Sequence, residues 1–490
     1  MSCTTRPVTQ TADVAVNSAS TMEAPRPDAV AHGVRSSSQI TVMTAANTVM
    51  ASLAGYSRAA RLAQPRSDSP RPPHVPGTLS PLALQSLGTA CHAVGYRDGM
   101  RVARLLWSPE LLRYDFGPGH PMAPARLDLT MRLVAELGLL DEPTLELADV
   151  EPATDEVIES VHDAAYVAAV RRAAATGEPD LARGLGTEDD PVFPTMHEAG
   201  ARLVAASVDA AESVWSGHVQ HGVNIAGGMH HAQRGAASGF CIYNDAAAAV
   251  QRLLDRGAER VAYVDLDAHH GDGVEAIFWD DPRVLTVSVH QDGHTLFPGT
   301  GNAGDTGGTA AQGTAVNVAL PPRTDGAHWL RAVDAVVPAM VREFRPQVIV
   351  SQHGCDAHGN DPLTDLDVGV AAQRTAARWV HGLAHELADG RWVALGGGGY
   401  AVVDVVPLVW ASLVAEAAHA PLPACLELPE SWRREVEELS GLDPAERLAG
   451  GEVSWRPWSD GYDPADDVDR AILATRRHVF PTWGLDPYRD

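Results

Sequence analysis

The sequence has no lysine, so its 37 basic residues are all arginine, and they are outnumbered by 63 acidic ones. That uniform choice of arginine is read as a trace of coding-DNA composition rather than of function. The resulting formal net charge of -26 argues against nonspecific nucleic-acid binding and against docking on an anionic membrane, because both surfaces are negative. Cysteine is scarce. Cys3, Cys91, Cys241, Cys355 and Cys425 are odd in number and irregularly spaced, which excludes a disulfide framework and points to a reducing compartment. No run approaches the roughly 18 apolar residues of a membrane helix, and the first residues lack the basic-then-apolar order of a signal peptide. A cytoplasmic protein is expected.

What the chain does contain is enough apolar material for a large core, 45% of 490 residues. Residues 1–99 stand apart: rich in Ser, Thr, Ala, Pro and Arg, with only weak helical patches near Met43 to Leu62. They read as a disordered extension or as a segment foreign to the natural protein, since Met100 precedes the first convincing strand, Val102 to Trp107. A domain is expected over 100–420, and the aromatic-bearing residues 421–490 read as an extension fastened onto it. Within the domain, helical patterns at Ala125 to Leu139, Asp163 to Ala175 and His197 to Trp215 alternate with apolar runs. Those runs lie at Gly222 to Ala226, Val261 to Asp265, Val284 to His290, Gln347 to Gln352 and Trp392 to Leu395. Such alternation predicts an α/β fold with a mostly parallel sheet covered on both faces.

The chemistry-bearing residues follow these runs. The strand Val261 to Asp265 ends in acidic and imidazole side chains, and the two-residue spacing of Asp267 and His269, read as extended, aims both to one side. Gly222 to Ala226 leads into GGMHHA with adjacent His230 and His231; Gln347 to Gln352 leads into HGCDAHGNDP with Asp356; Trp392 to Leu395 leads into GGGGY with Tyr400. Ligands bind beyond the carboxyl ends of parallel strands, so these segments mark an expected site. Two aspartates and one histidine can neutralise a divalent ion and leave a position open for water. Taken singly, each motif has a bland reading: Asp-x-His occurs in surface loops, a histidine pair can be structural, and four glycines can be a flexible turn. Phe240 and Phe297 would ordinarily be core, Asp189 part of a solvated TEDDP loop, Arg126 a helix-surface charge, and Cys241 a small buried hydrophobe.

Taken in order, GGMHHA, SGFCIYND, YVDLDAHHGDGV, TVSVHQ, LFPGTG, HGCD and GGGGY resemble the zinc-dependent histone deacetylase superfamily, in particular its bacterial acetoin-utilisation branch, over about residues 102–420. The resemblance implies a three-layer α/β/α sandwich on a mostly parallel sheet of about eight strands. It implies Asp267, His269 and Asp356 as metal ligands, His230 and His231 as a catalytic pair backed by Asp265 and Asp272, and Tyr400 as the donor to the substrate carbonyl. By the same resemblance Gly239, Phe240 and Phe297 wall a narrow tunnel, Asp189 is the acidic rim residue, and Arg126 lies near the acetate pocket. Asp265, Asp267 and His269 with Ser288 and Val289 match a monovalent-cation site for potassium; a second such site, at Asp281 and Thr314, is the poorer match.

The implied activity is hydrolysis of N-ε-acetyl-lysine on a protein, with Zn2+ or Fe2+ as the ion and an acyl-CoA synthetase as the suggested target. Deacetylation of acetylated polyamines and a non-catalytic acetyl-lysine reader are the alternatives. The complete set of ligands, histidines and tyrosine weighs against the reader.

Overall fold

The computed structural model describes residues 101–489. The 1–99 segment, including the helical patches near Met43 to Leu62, lies outside the described residues. In chain order the elements are β1 (Ala103–Leu106), α1 (Ala125–Glu136), β2 (Leu145–Ala148), α2 (Asp155–Ile158), α3 (Ala164–Thr176), α4 (Met196–Trp215), β3 (His221–Asn224) and α5 (Asp245–Asp255). They continue with β4 (Val261–Asp265), α6 (Asp272–Phe278), β5 (Val284–Gln291), β6 (Ala315–Leu320), α7 (Gly326–Phe344), β7 (Val348–Gln352), α8 (Val370–Leu387), β8 (Trp392–Leu395), α9 (Val406–Ala417), α10 (Glu430–Ser440) and α11 (Asp467–Val479).

The eight strands form one sheet in the order β2-β1-β3-β8-β7-β4-β5-β6, and every neighbouring pair is parallel. Strands β3, β4, β5, β7 and β8 are buried at every residue. A strand covered on both faces has no polar side to present, which is why β4 up to Asp265 and β8 throughout read as apolar runs. The α/β sandwich expected from the sequence is the one observed.

Two strands escaped the sequence pattern. The edge strand β2 is only half covered and carries LELA, residues that favour helices. In β6 the apolar run AVNVAL is interrupted by Asn317, whose amide donates to Glu275 at 2.7 Å. The helical pattern drawn to Leu139 ends early, at Glu136, because Gly138 adopts a left-handed φ of 73° that breaks the helix.

Strands β3, β8, β7 and β4 are consecutive neighbours, so four motifs distant in sequence emerge side by side at one end of the sheet. The last helices close the fold's flanks. In α10, the indole of Trp432 donates to the carbonyl of Leu129 in α1. In α11, Asp469 accepts from the Arg331 guanidinium of α7 at 2.5 and 2.8 Å, and both side chains are buried. Arg331 also donates to the carbonyls of Arg456, Pro457 and Gly461 and lies over the Trp458 ring.

Removing one partner of such a pair leaves an uncompensated buried charge. Asp469→Ala is expected to cost about 3–5 kcal/mol, measured as a lower urea midpoint, and a midpoint within error of the parent would contradict this account.

Candidate active site

Past the end of β4 the chain bends through Asp267 to His269 instead of staying extended. This corrects the extended reading of that spacing, although the two side chains still converge. The Nδ1 atom of His269 lies 3.2 Å from Oδ1 of Asp267 and 2.9 Å from Oδ2 of Asp356, which follows β7. The outer carboxylate oxygens are held by backbone: Gly398 N–H donates to Oδ2 of Asp267 at 2.7 Å, and Ala268 N–H to Oδ1 of Asp356 at 2.9 Å. One oxygen of each carboxylate is thereby turned toward the imidazole nitrogen.

Both aspartates are fully buried. Burial raises the Asp356 pKa to about 6, and the charge of Asp267 adds to the effect. Asp267 titrates well below the usual range because the charges of His230 and His269 outweigh its burial. Two carboxylates and one imidazole meeting within ion-ligand distance of one another fit a divalent cation by number, charge and donor type.

Around this centre, His230 and His231 sit on the loop after β3, their Nε2 atoms 3.1 Å apart. His230 Nδ1 meets Asp265 Oδ2 at 2.8 Å, and His231 Nδ1 meets Asp272 Oδ1 at 2.6 Å. The two imidazoles are driven in opposite directions. Burial disfavours charge on His230, but the carboxylates of Asp265 and Asp267 overcome it and lift the pKa to about 9. Burial and the neighbouring His230 charge pull His231 down to about 4. At neutral pH one ring is a cation and the other a base.

The glycine segment after β8 passes directly over the carboxylates. A Cβ on Gly398 would lie 2.1 Å from Oδ2 of Asp356, so no other residue fits there. Tyr400 closes the segment. Its ring packs edge-on to Phe240, with centroids 5.7 Å apart, and beneath it lies the Arg126 guanidinium, 5.3 Å from the ring centre. Burial raises the phenol well above its usual value, so Tyr400 keeps its proton and can donate. Arg126 is not the helix-surface charge of the bland reading: it is 3% exposed and donates to the carbonyl of Gly397 at 2.8 Å.

Phe297 packs edge-on to His231 with centroids 5.0 Å apart, and its ring is 6.5 Å from that of His269. At 44% exposure it faces solvent as well as the site, unlike an ordinary core phenylalanine. Gly239 leaves the room between them, since a Cβ there would meet His231 at 2.6 Å and Phe297 at 2.8 Å. Asp189 is exposed, and its carbonyl lies 3.0 Å from Nε2 of His120, whose ring packs against Phe240. Asp189 is thus linked to Phe240 through His120.

Asp265 and Ser288 are register partners across β4 and β5, with Val289 following, so the residues of the expected monovalent-cation site adjoin. Ser288 Oγ lies 2.8 Å from Nδ1 of His290. At the second such site the carboxylate of Asp281 is engaged by Arg283 at 2.6 and 2.9 Å, and Thr314 donates to the carbonyl of Ala311.

Several supporting residues were missed. Asp361 accepts from Tyr400 N–H at 2.7 Å; Asp245 accepts from the backbone N–H groups of Gly228 and Met229; Tyr263 donates to Asp265 at 2.7 Å. Asp361 stands within the HGCDAHGNDP segment, so proximity to Asp356 was a usable signal. Asp245 and Tyr263 offered none beyond burial among apolar neighbours.

Comparison with known proteins agrees with this geometry. Residues 120–417, more than half the chain, match the family described as the histone deacetylase domain. The acetoin utilization protein AcuC of Bacillus subtilis (strain 168) is 40% identical over 336 residues, covering 68% of this chain and 86% of that protein. The acetoin utilization protein AcuC of Staphylococcus aureus (strain MSSA476) is 36% identical over 342 residues, covering 68% and 87%. That of Staphylococcus xylosus is 36% identical over 330 residues, covering 67% and 85%.

In chelator-treated protein the positive charge between the two carboxylates is that of His269. Burial opposes that charge, yet hydrogen bonds to Asp267 and Asp356 raise its pKa to about 10. A folded value above the unfolded one, about 6.5, gives stabilisation that is complete below about pH 6.5 and is lost as pH climbs toward the folded value. Chelator-treated protein is therefore expected to lose thermal stability from pH 6.5 toward 10, and His269→Asn to remove part of that slope. A pH-independent calorimetric midpoint in the treated parent would contradict the charge assignment.

Proposed function

The chain belongs to the histone deacetylase family and is a hydrolytic deacetylase, and on that premise we propose that it removes the acetyl group from N-ε-acetyl-lysine on a protein. The relatives' names speak of acetoin utilization, and the target we propose within that metabolism is an acyl-CoA synthetase. The observation that carries this reading is the arrangement of Phe240 and Phe297 about Gly239, leading from solvent to Tyr400 and the buried carboxylates. Aromatic walls suit the apolar four-carbon stem of lysine and leave the polar amide to the groups at the bottom.

Asp267, His269 and Asp356 would hold a divalent ion, zinc or ferrous iron. When bound, it polarises the amide carbonyl and acidifies water beside it. The remaining work falls to this chain's own groups. His231, neutral and oriented by Asp272, takes the proton from attacking water at Nε2 and later returns a proton to the leaving amine. His230 stays cationic on Asp265 and offsets the negative charge that builds on the carbonyl oxygen. Tyr400 donates to that same oxygen, its ring steadied by Arg126 below and Phe240 beside it. Potassium held near Asp265, Asp267, His269, Ser288 and Val289 would stiffen the segment that carries two of the ligands.

A second reading rests on the exposed Glu188 and Asp189 near the mouth, whose charge would favour a cationic acetylpolyamine.

Tyr400→Phe is expected to lower turnover of an acetyl-lysine peptide by roughly a hundred- to a thousandfold. His231→Ala should lower it by about 10² to 10⁴, with circular dichroism unchanged in both variants. Near-parental rates in either would overturn the assigned role. Acetate release from an acetyl-lysine peptide and from an acetylpolyamine, assayed in parallel, distinguishes the two substrate readings by which is turned over faster.

A further inference from the structure

Four histidines converge at the opposite end of the sheet from the candidate active site, and nothing in the deacetylase chemistry uses them. His221 is the first residue of β3, His381 and His385 lie one turn apart on α8, and His419 follows the end of α9. Their ligand nitrogens all lie within 4.8 Å of one another. The Nε2–Nε2 separations are 3.2 Å for His221 and His385, 3.0 Å for His381 and His385, 3.1 Å for His381 and His419, and 3.3 Å for His385 and His419.

The outward nitrogens fix part of the proton arrangement. His221 Nδ1 lies 2.6 Å from the carbonyl of Ala417, which only accepts, so that nitrogen carries the hydrogen. His381 Nδ1 faces Oε1 of Glu416 at 2.8 Å and donates likewise. As neutral rings, His221 and His381 therefore direct bare lone pairs inward. With all four rings neutral, the four inner contacts can share at most two protons, those of His385 and His419, so at least two contacts have no proton of their own to bridge them. A cation at the centre resolves all of them together. Tetrahedral zinc–imidazole bonds of about 2.0–2.1 Å place neighbouring nitrogens about 3.3 Å apart, close to the separations seen.

The surroundings are those of a ligand shell. The i, i+4 spacing of His381 and His385 puts both on one helix face. Glu416 backs His381 as a carboxylate partner, orienting the ring and supplying negative charge to an otherwise neutral donor set. Trp392 stacks on His381 with centroids 5.1 Å apart and planes 21° from parallel. His419 holds a left-handed φ of 57°, a conformation disfavoured for a residue with a side chain, and that backbone presents its ring to the other three. His221 and His381 are buried, while His385 and His419 lie toward the surface and leave a path of entry.

We propose that His221, His381, His385 and His419 form a second metal site, taking one divalent ion of the zinc type. Four protein ligands leave no position for substrate, so its role is structural: it clamps the start of β3 to α8 and to the end of α9. All-imidazole donors also accept cobalt, nickel and copper, which makes cobalt a usable probe.

The test uses the tag-free chain saturated with Zn2+, desalted and analysed by plasma mass spectrometry. Intact protein is expected to retain about two equivalents and the His385→Gln, His419→Gln double variant about one, with deacetylase turnover retained. Asp267→Ala with Asp356→Ala should leave about one equivalent, lost when the two glutamine substitutions are added. Cobalt bound to the aspartate-free protein should show the visible absorption of a four-coordinate ion. An equal metal content in the intact protein and the His385→Gln, His419→Gln variant would overturn the proposal, and this comparison does not depend on how the aspartate variant folds.

Discussion

Two carboxylates facing one another in a dry interior are the constraint on which this structure turns. Asp267 and Asp356 are fully buried and aim at one nitrogen, and like charges so placed are tolerated only with positive charge between or beside them. Much of the local architecture answers that demand. The glycine segment brings a backbone N–H to Asp267, the turn after β4 brings another to Asp356, and His230 is held cationic within 3.9 Å of Asp267. A side chain at Gly398 would occupy the space of the Asp356 carboxylate. The electrostatic demand therefore sets backbone sequence after the neighbouring strand, β8.

The histidine pair shows how the same demand produces division of labour. Two identical residues, adjacent in the chain and each bonded to a carboxylate, end with pKa values near 9 and 4. Asp267 lies beside His230 as well as Asp265, so His230 takes the proton, and its charge then denies one to His231. Arg126 works on the far side of Tyr400, where a cation under the ring and a bond to Gly397 lock the segment that carries the phenol.

Both ends of the sheet are charged with purpose in different ways. The carboxyl end gathers acidic groups that call for a cation and keep room for substrate. At the amino end, imidazoles from β3, α8 and the residues after α9 bring their ligand nitrogens within 4.8 Å of one another. The two sites share strand β3, which starts at His221 and leads into the loop of His230 and His231.

How much of this was legible in the chain follows from which interactions are local. Strands β4 and β8 were read to the residue, because a strand buried on both faces is an apolar run that stops where polar groups begin. The α/β class and its parallel sheet were evident for the same reason, as was the clustering of chemistry-bearing segments at strand ends; the roles of their residues came only with the family resemblance. Edge strands β2 and β6 were not, since partial cover and Asn317 erase the run. The sequence by itself determined the class of fold, the residues gathered at strand ends and the acidic character of the whole. Only the tertiary structure decided that Arg126 is buried beneath Tyr400, that His230 and His231 differ in charge, and that His221 meets His419. Those facts depend on desolvation and on charges brought together from distant segments, and no local pattern encodes either.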